Sequence, residues 1–164
     1  MTTIPLSISI VTVSDSRTEE NDTAGQLLAK EAQKAGHKVA GNIIVPNNIW
    51  KIRLSLCELL ISSDVNVIII NGGTGFTHDK ATIPAVRPLL DNVITGFGEL
   101  FRHLSYQDIG SSSIQSDAIA GLANNKLVFC IPGSPSACLL AWNGILLNQL
   151  NSKQKPCNFA TMFK

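Results

Sequence analysis

A glycine-rich turn followed by an aspartate is the part of this sequence best suited to chemistry. The apolar run Val65–Ile70 leads into Gly72-Gly73-Thr74-Gly75, and Asp79 follows shortly after. Glycines directly after a strand let backbone N–H groups approach an anion such as a phosphate. An aspartate beyond such a turn suits Mg²⁺, which prefers one or two carboxylates together with phosphates and waters. A plain tight turn, with Asp79 only capping or stiffening the loop, is the alternative interpretation.

The glycine turn does not fit the best-known nucleotide-binding motifs. It lacks the Gly-Lys-Ser/Thr ending of a P-loop, and His78 stands where Gly-x-Gly-x-x-Gly requires its last glycine. No nucleophile elbow is visible, and the three histidines show no zinc-ligand spacing. A P-loop NTPase, a dinucleotide oxidoreductase and a zinc enzyme are therefore disfavoured.

Two further polar turns also follow apolar strands. Ser14 and Asp15 come directly after the run that ends at Val13, and Pro132-Gly133-Ser134 follows the run that ends at Ile131. The carboxyl ends of parallel strands meet at one edge of a sheet, where open α/β folds bind ligands. The three turns together therefore predict one binding site for a phosphate-bearing ligand.

The elements that must position these turns alternate between strand and helix in the first half of the chain. Strands are predicted at Ile8–Val13, Lys38–Val45 and Val65–Ile70, and helices from Thr23 to about Ala35 and from about Ile49 to Ile61. This order predicts parallel pairing through crossover helices. The run Val65–Ile70 is apolar without clean alternation, as expected of a strand that is covered on both faces.

The second half continues the α/β pattern. A helix is expected to start at Thr82 and another at Gly96, while Ser111-Ser112-Ser113 marks a loop. A short strand near Ser116–Gly121 and a buried strand at Lys126–Ile131 precede an apolar helix from about Ala137 to Leu150. With no repeat and no linker, residues 1–164 are predicted to form a single α/β domain with a mostly parallel sheet.

Composition narrows the class of protein further. The 164 residues are 45% hydrophobic and 15% charged, which is typical of a globular chain. So few charges suggest that part of the apolar surface is covered by other copies of the chain. A net charge of +1 without a basic run argues against nucleic acid as a partner. No signal peptide or membrane span is recognisable, so a cytoplasmic protein without a membrane partner is expected.

Cysteines and histidines are assigned to structural roles. Cys57 and Cys138 fall in apolar helical patterns and Cys130 in a strand, which predicts buried free thiols. His37 follows the stop of the first helix and is expected to be solvated.

Four motifs, taken together, resemble the Mog-like molybdopterin-binding domains. They are Gly72-Gly73-Thr74-Gly75, Asp79 before Thr82-Ile83-Pro84, Gly96-Phe97-Gly98-Glu99 and Pro132-Gly133-Ser134. The resemblance covers nearly the whole chain, and four motifs in the same order are far more specific than any one of them.

The resemblance implies a three-layer α/β/α domain that assembles as homo-oligomers, either trimers or hexamers built from trimers. It also implies binding of molybdopterin, a pterin with a dithiolene and a terminal phosphate. Active relatives transfer AMP from ATP, the co-substrate, to that phosphate with a divalent metal such as Mg²⁺. The alternatives are a non-catalytic pterin-binding or scaffold protein, or an enzyme that uses a related domain on another nucleotide or phosphate ester.

Carried over to this chain, the resemblance assigns Asp79 as the catalytic residue and the metal ligand. The residues expected to bind substrate are Ser14, Asp15, Asn47, Gly72, Gly73, Thr74, Gly75, Glu99, Ser116, Pro132, Gly133 and Ser134.

Three positions depart from the family pattern. Active relatives carry an aspartate where this chain has Asn47, and the loss of charge predicts weaker metal binding there. A Ser-Arg pair is replaced by Ser116-Asp117, which predicts local repulsion of a polyphosphate. Asn71 stands where threonine is usual. Ligand binding is therefore better supported by the sequence than adenylyl transfer.

Overall fold

The computed structural model describes residues 3–164 and contains one six-stranded sheet with helices on both faces. The strands are β1 (Ser7–Val13), β2 (Lys38–Val45), β3 (Val67–Asn71), β4 (Asn92–Val93), β5 (Ile119–Ala123) and β6 (Lys126–Ile131). The α-helices are α1 (Thr23–Lys34), α2 (Ile49–Ile61), α3 (Thr82–Val86), α4 (Thr95–Ile109), α5 (Pro135–Ala141) and α6 (Leu147–Gln149). Across residues 3–164, no helix is both long and apolar enough to cross a membrane.

The strand order in the sheet is β2-β1-β3-β6-β5-β4. The first four of these strands are mutually parallel, whereas β5 runs antiparallel to both β6 and β4. The predicted mostly parallel α/β sheet is confirmed. Strand β4 was not predicted, because two residues carry no usable periodicity.

The two faces of the sheet explain why the central strands are apolar throughout. Along β3, Val67 and Ile69 pack into a core with α1, α4 and α5, whereas Ile68 and Ile70 pack into a second core with α2 and α3. All four side chains are at most 1% exposed. Side chains of a strand alternate between faces, so a strand covered twice must be apolar at every position. The expected three-layer α/β/α arrangement is confirmed.

Local capping sets the helix starts that the sequence predicted. The side chain of Asp22 accepts a hydrogen bond from the N–H of Gly25 at the start of α1, and Asn48 accepts from Trp50 and Lys51 at the start of α2. The helix predicted at Ala137 begins earlier, at Pro135, because Ser134 caps it. A π-helical turn, Trp142–Leu146, joins α5 to α6.

Three smaller predictions are wrong. Residues Gly110–Gln115 form a 3-10 helix rather than an open loop, since Gly110, with φ of 56°, ends α4 and lets the chain turn on tightly. Cys57 is exposed, because it lies on the outer face of α2, whereas Cys130 and Cys138 are buried as expected. His37 is buried rather than solvated, and its Nδ1 accepts a hydrogen bond from the Leu6 N–H.

The buried His37 predicts a loss of stability in mild acid. Burial lowers its pKa below the ordinary value of 6.5, because the charged imidazolium would lose its hydration. The unfolded chain therefore binds this proton first. The stabilising contribution is complete above 6.5 and is lost as the pH falls through 6.5 towards the lower pKa of the folded state.

We expect His37→Gln to reduce the drop in melting temperature between neutral pH and about pH 5, the range in which an ordinary histidine titrates. Thermal unfolding at a series of pH values measures this slope. His103→Gln, at an exposed position on α4, is the control and should leave the slope unchanged. An identical slope in the His37 variant would show that other groups govern the pH dependence.

Candidate functional site

The three polar turns meet at one edge of the sheet, as the sequence predicted. Strands β1, β3 and β6 are neighbours, and the N–H of Gly72 donates to the carbonyl of Ile131 across 3.1 Å. A Cβ on Gly133 would lie 2.8 Å from the Cα of Gly72. The glycine turn and the turn Pro132-Gly133-Ser134 therefore contact each other through their backbones. A small cleft of about 80 Å³, here called the strand-edge cleft, opens between the turns. Its lining includes Ser14, Gly72 and Gly133.

The glycine turn needs glycine for steric reasons as well as for ligand access. Gly72 has a φ of +86°, and a Cβ there would lie 2.5 Å from the carbonyl oxygen of Val13. Gly73 has a φ of +61°, and a Cβ there would lie 2.4 Å from the hydroxyl of Thr82. Thr82 fixes the turn, because its hydroxyl donates to the Gly72 carbonyl at 2.7 Å and its N–H to the Gly73 carbonyl. Thr74 and Gly75 continue the turn and are half-buried.

Asn47 connects all the loops on one side of this site. Its backbone N–H donates to the carboxylate of Asp15 at 2.9 Å. Its side-chain Nδ2 donates to the backbone carbonyl of Asp79 at 2.6 Å, while its Oδ1 accepts from the N–H of Ala81 at 3.1 Å. The amide thus holds the segment that carries Asp79, a task that needs both a donor and an acceptor.

We expect Asn47→Asp to loosen the segment from Asp79 to Ala81. A carboxylate can still accept from the Ala81 N–H, but it cannot donate to the Asp79 carbonyl. Its second oxygen would instead lie next to the Asp79 carbonyl oxygen and repel it. Faster hydrogen exchange at residues 79–82, with a loss of about 0.5–1.5 kcal/mol of stability, is the expected result. Asn48→Asp adds the same charge one residue later and keeps the α2 cap, so it should leave the exchange unchanged.

Asp79 lies exposed at the rim of the glycine turn. Its side chain is 58% exposed and its Oδ2 lies 3.4 Å from Lys80 Nζ. Hydrogen bonding from the Thr77 side chain, with a smaller contribution from the charge of Lys80, holds the pKa of Asp79 below its ordinary value. The carboxylate is therefore ionised at neutral pH.

In residues 3–164 no group of three or more His, Cys, Asp or Glu side chains gathers into a metal cage. A single exposed carboxylate fits Mg²⁺, which takes its other ligands from phosphates and water.

A larger cleft of about 390 Å³, here called the α4–α5 cleft, opens beside the turn Pro132-Gly133-Ser134. Three residues predicted to bind substrate, Ser116, Pro132 and Ser134, line it. Its lining mixes apolar side chains with serine hydroxyls and one carboxylate, a combination that suits an aromatic ligand with polar edges. The lining also includes side chains that the sequence analysis did not single out, namely Phe101, Ser105, Asp108, Ile109, Ser136, Ala137 and Leu140.

A third cleft, of about 340 Å³, surrounds Asp117 and is here called the arginine cleft. Arg87 and Arg102 line it together with Asp117. Burial raises the pKa of Asp117, and the two arginines oppose this rise through their charges. Gly98 allows the close packing of α4 here, because a Cβ would lie 2.5 Å from the Ala118 carbonyl and 3.1 Å from the Arg102 guanidinium. Two cationic side chains, one from α4 and one from the segment after α3, therefore lie in the same cleft as Asp117.

Glu99 is a predicted site residue that lies on α4 rather than on one of the three turns. It is exposed on α4 and lines none of the three clefts. Arg102, on the same helix, faces the arginine cleft instead. Helical spacing could have indicated this difference, because Gly98 and Arg102 lie four residues apart and share a face.

Asn71 forms the buried floor of the strand-edge cleft. Its Nδ2 donates to the hydroxyl of Thr12 at 3.0 Å and to the Val11 carbonyl, and Thr12 donates to Asp22 at 2.7 Å. Asn71 Oδ1 has no hydrogen-bond partner within the part of the chain that the structure describes. The amide therefore links the end of β3 to β1 and, through Thr12, to Asp22 at the start of α1.

The fold and the turns at the sheet edge define a class of protein that comparison with known families identifies. Residues 9–152 match the family model "Probable molybdopterin binding domain". The chain belongs to this family, as the four sequence motifs indicated.

Relatives with known names are similar over most of the chain. Molybdenum cofactor biosynthesis protein B of Escherichia coli is 47% identical over 156 residues, which cover 95% of this chain and 92% of the relative. The protein of the same name from Bacillus cereus is 49% identical over 142 residues, 86% of this chain and 84% of the relative. The resemblance to the molybdopterin-binding family is thereby confirmed over most of the chain.

Solved structures agree with the fold. A crystal structure of molybdenum cofactor biosynthesis protein B superimposes with a TM-score of 0.87 at 47% identity and covers 89% of this chain and 91% of the other. The tungsten cofactor synthesizing protein MoaB from Pyrococcus furiosus gives a TM-score of 0.77 at 31% identity, covering 85% and 89% of the two chains.

Proposed function

We propose that this protein binds molybdopterin and transfers AMP from Mg-ATP to its terminal phosphate, as a step in molybdenum cofactor biosynthesis in the cytoplasm. The observation that carries the proposal is that three turns, at Ser14, Gly72 and Gly133, meet at one sheet edge beside the exposed carboxylate of Asp79. Such turns can present backbone N–H groups to a phosphate. Family membership supports molybdopterin as the ligand. The names of the relatives support the pathway. A homo-oligomer, trimeric or hexameric, is the expected assembly.

The transfer requires little covalent help from the protein. An oxygen of the molybdopterin phosphate attacks the α-phosphorus of ATP, the bond from that phosphorus to the bridging oxygen breaks, and pyrophosphate leaves with the electron pair. The nucleophile is already ionised, so positioning and charge neutralisation account for most of the rate. When bound, Mg²⁺ neutralises charge on the phosphates.

Different residues of this chain would bind different parts of the two substrates. The backbone of the glycine turn and the Ser134 hydroxyl offer donors to phosphate oxygens, while the α4–α5 cleft takes the flat pterin. Asp79 would hold the metal, fixed through its backbone carbonyl by Asn47. Arg87 and Arg102 would offset the negative charge of Asp117 towards a polyphosphate.

The direct test is to incubate the pure protein with molybdopterin, ATP and Mg²⁺ and to measure the adenylylated pterin and pyrophosphate. The proposal predicts both products in equal amounts, and neither product without Mg²⁺. A relative with established activity, assayed in parallel, serves as the positive control. No product under conditions in which that relative turns over would refute the catalytic part.

A non-catalytic molybdopterin-binding or scaffold protein is the second candidate. The observation in its favour is that the Asn47 amide is neutral and already engaged with Asp79 and Ala81, so position 47 offers no charge to a metal. Tight binding of molybdopterin without measurable affinity for Mg-ATP would favour this candidate. Binding of both ligands in calorimetric titrations would count against it.

A further inference from the structure

Cys138 is a buried thiol that contacts the backbone of the candidate site. It lies in α5 and is fully buried, and its Sγ donates a hydrogen bond to the carbonyl oxygen of Pro132 at 3.5 Å. Pro132 begins the turn Pro132-Gly133-Ser134, one of the three turns that meet at the sheet edge. The thiol therefore joins the body of the domain to the candidate site, although the proposed reaction gives it no part.

The surroundings of Cys138 keep its thiol protonated. Burial raises the pKa of Cys138 to about 12, and the charge of Asp22 adds to the rise. A thiolate has no proton to donate, so the raised pKa preserves the donor at neutral pH. The same burial makes the sulfur a poor nucleophile. This environment suits a fixed hydrogen-bond donor.

The direction of the Pro132 carbonyl determines the direction of the Gly133 N–H. The two groups belong to one planar trans peptide, in which C=O and N–H point in opposite directions. The cis bond that residues 3–164 contain is elsewhere, at Lys155–Pro156. Because the Pro132 carbonyl is directed at Cys138, the N–H of Gly133 is directed away from it.

The N–H of Gly133 faces the glycine turn. The preceding carbonyl, of Ile131, points to that turn, because it accepts from the N–H of Gly72. Successive carbonyls of an extended chain point in opposite directions, so the Pro132 carbonyl points away from the glycine turn and the Gly133 N–H points towards it. Gly133 also lines the strand-edge cleft, where a Cβ would meet Gly72.

This N–H is available to a ligand. The turn is held by the Ile131 carbonyl, by the Ser134 hydroxyl, which accepts from Ala137, and by the Cys138 thiol. None of these hydrogen bonds uses the N–H of Gly133. A backbone donor that faces a cleft between glycine-rich turns suits the oxygen of a phosphate, and hydrogen bonds to charged acceptors are the stronger ones.

We propose that Cys138 is a positioning residue, whose thiol holds the Pro132 carbonyl and so keeps the Gly133 N–H directed at a phosphate oxygen of the ligand. The competing state is a flip of the Pro132–Gly133 peptide, which moves Gly133 to positive φ. Glycine accepts that conformation readily, and Gly133 lies outside it in this structure. The ligand in this inference rests on the proposed function, whereas the peptide orientation does not.

Ligand affinity gives the first test. Cys138→Ala and Cys138→Val both remove the donor, and valine largely keeps the volume of the side chain. Each should weaken molybdopterin binding by about threefold to tenfold, the population shift expected when one hydrogen bond no longer favours one of two orientations. Cys138→Ser keeps a donor and should bind as the parent does. Calorimetric titration under anaerobic conditions measures the affinities.

Cys130 provides the matched control. It is equally buried but packs into the core on the opposite face of the sheet. Cys130→Ala and Cys130→Ser should lower the melting temperature and leave the affinity unchanged. A purely structural role of Cys138 predicts instead that affinity follows melting temperature in every variant, with serine no better than alanine. That pattern, or parent-like affinity in Cys138→Ala, would overturn the proposal.

The peptide orientation can be measured without any ligand. In the parent and in Cys138→Ser, nuclear Overhauser contacts should join the amide proton of Gly133 to the Hα protons of Gly72. In Cys138→Ala, contacts from that amide to the new methyl group should appear. An unchanged orientation in Cys138→Ala would refute the positioning role. A parent protein that binds no molybdopterin would refute the proposed function instead, so the two failures are distinguishable.

Discussion

Asp79→Asn should lower the rate of adenylyl transfer by at least about a hundredfold, the usual size of effect when a group that organises transition-state charge is lost. The substitution keeps the shape of the side chain and removes its charge. The backbone carbonyl of Asp79, to which Asn47 donates, is unaffected, so the loop should stay in place. Product formation at a series of Mg²⁺ concentrations measures both the rate and the metal requirement.

Two comparisons separate a metal-binding role from a structural one. Asp64→Asn removes an exposed carboxylate at the opposite end of β3 and should leave the rate unchanged. Molybdopterin binding in the absence of ATP and Mg²⁺ should also survive in Asp79→Asn, since the turns and the α4–α5 cleft remain. Full activity in Asp79→Asn would refute the assigned role of this carboxylate.

Ile69→Asp should prevent the chain from folding. Ile69 is fully buried at the centre of the sheet, opposite Ile10 of β1 and Phe129 of β6. An aspartate there would find only apolar neighbours, and the cost of burying it unpaired is expected to exceed about 4 kcal/mol. Such a loss is comparable with the whole stability of a typical domain. We expect insoluble protein, or soluble protein without a cooperative melting transition.

Ile114→Asp makes the same chemical change at a position that is 72% exposed. It should change the free energy of unfolding by no more than about 0.5 kcal/mol. Chemical denaturation followed by circular dichroism compares the two variants with the parent. A cooperative transition of normal midpoint in Ile69→Asp would show that the core has been assigned to the wrong residues.

Much of the site could be predicted because its parts are local. Gly72 and Gly73 directly follow a strand and adopt positive φ. Glycine adopts such a conformation more readily than any other residue, so the glycines in the sequence indicate the turn. Ser134 caps the helix that follows it, and Asn48 caps α2, which are choices made within a few residues. The family motifs also assign Asp79 and Pro132 to one site, and that assignment stays a prediction.

Other features of the site could not be predicted from local pattern. Asn47 was expected to be a weakened metal position, but the structure gives its side chain a defined task between Asp79 and Ala81. Asp117 was expected to repel a polyphosphate, but Arg87 and Arg102 share its cleft. Neither arginine lies in a turn at the carboxyl end of a strand, so a prediction based on those turns could not include them.

The amino-acid sequence by itself determined the order of the strands and helices apart from β4, the glycine turn with its aspartate, and the family. These follow from periodicity, capping and backbone requirements that act over a few residues, and from motifs in a fixed order. Only the tertiary structure decided which of the polar groups meet. Asn47 contacts Asp15 and Asp79, each 32 residues away, because β1 lies between β2 and β3 in the sheet. The neighbours of a strand depend on the whole fold, so contacts at the ends of strands are fixed only when the sheet has formed.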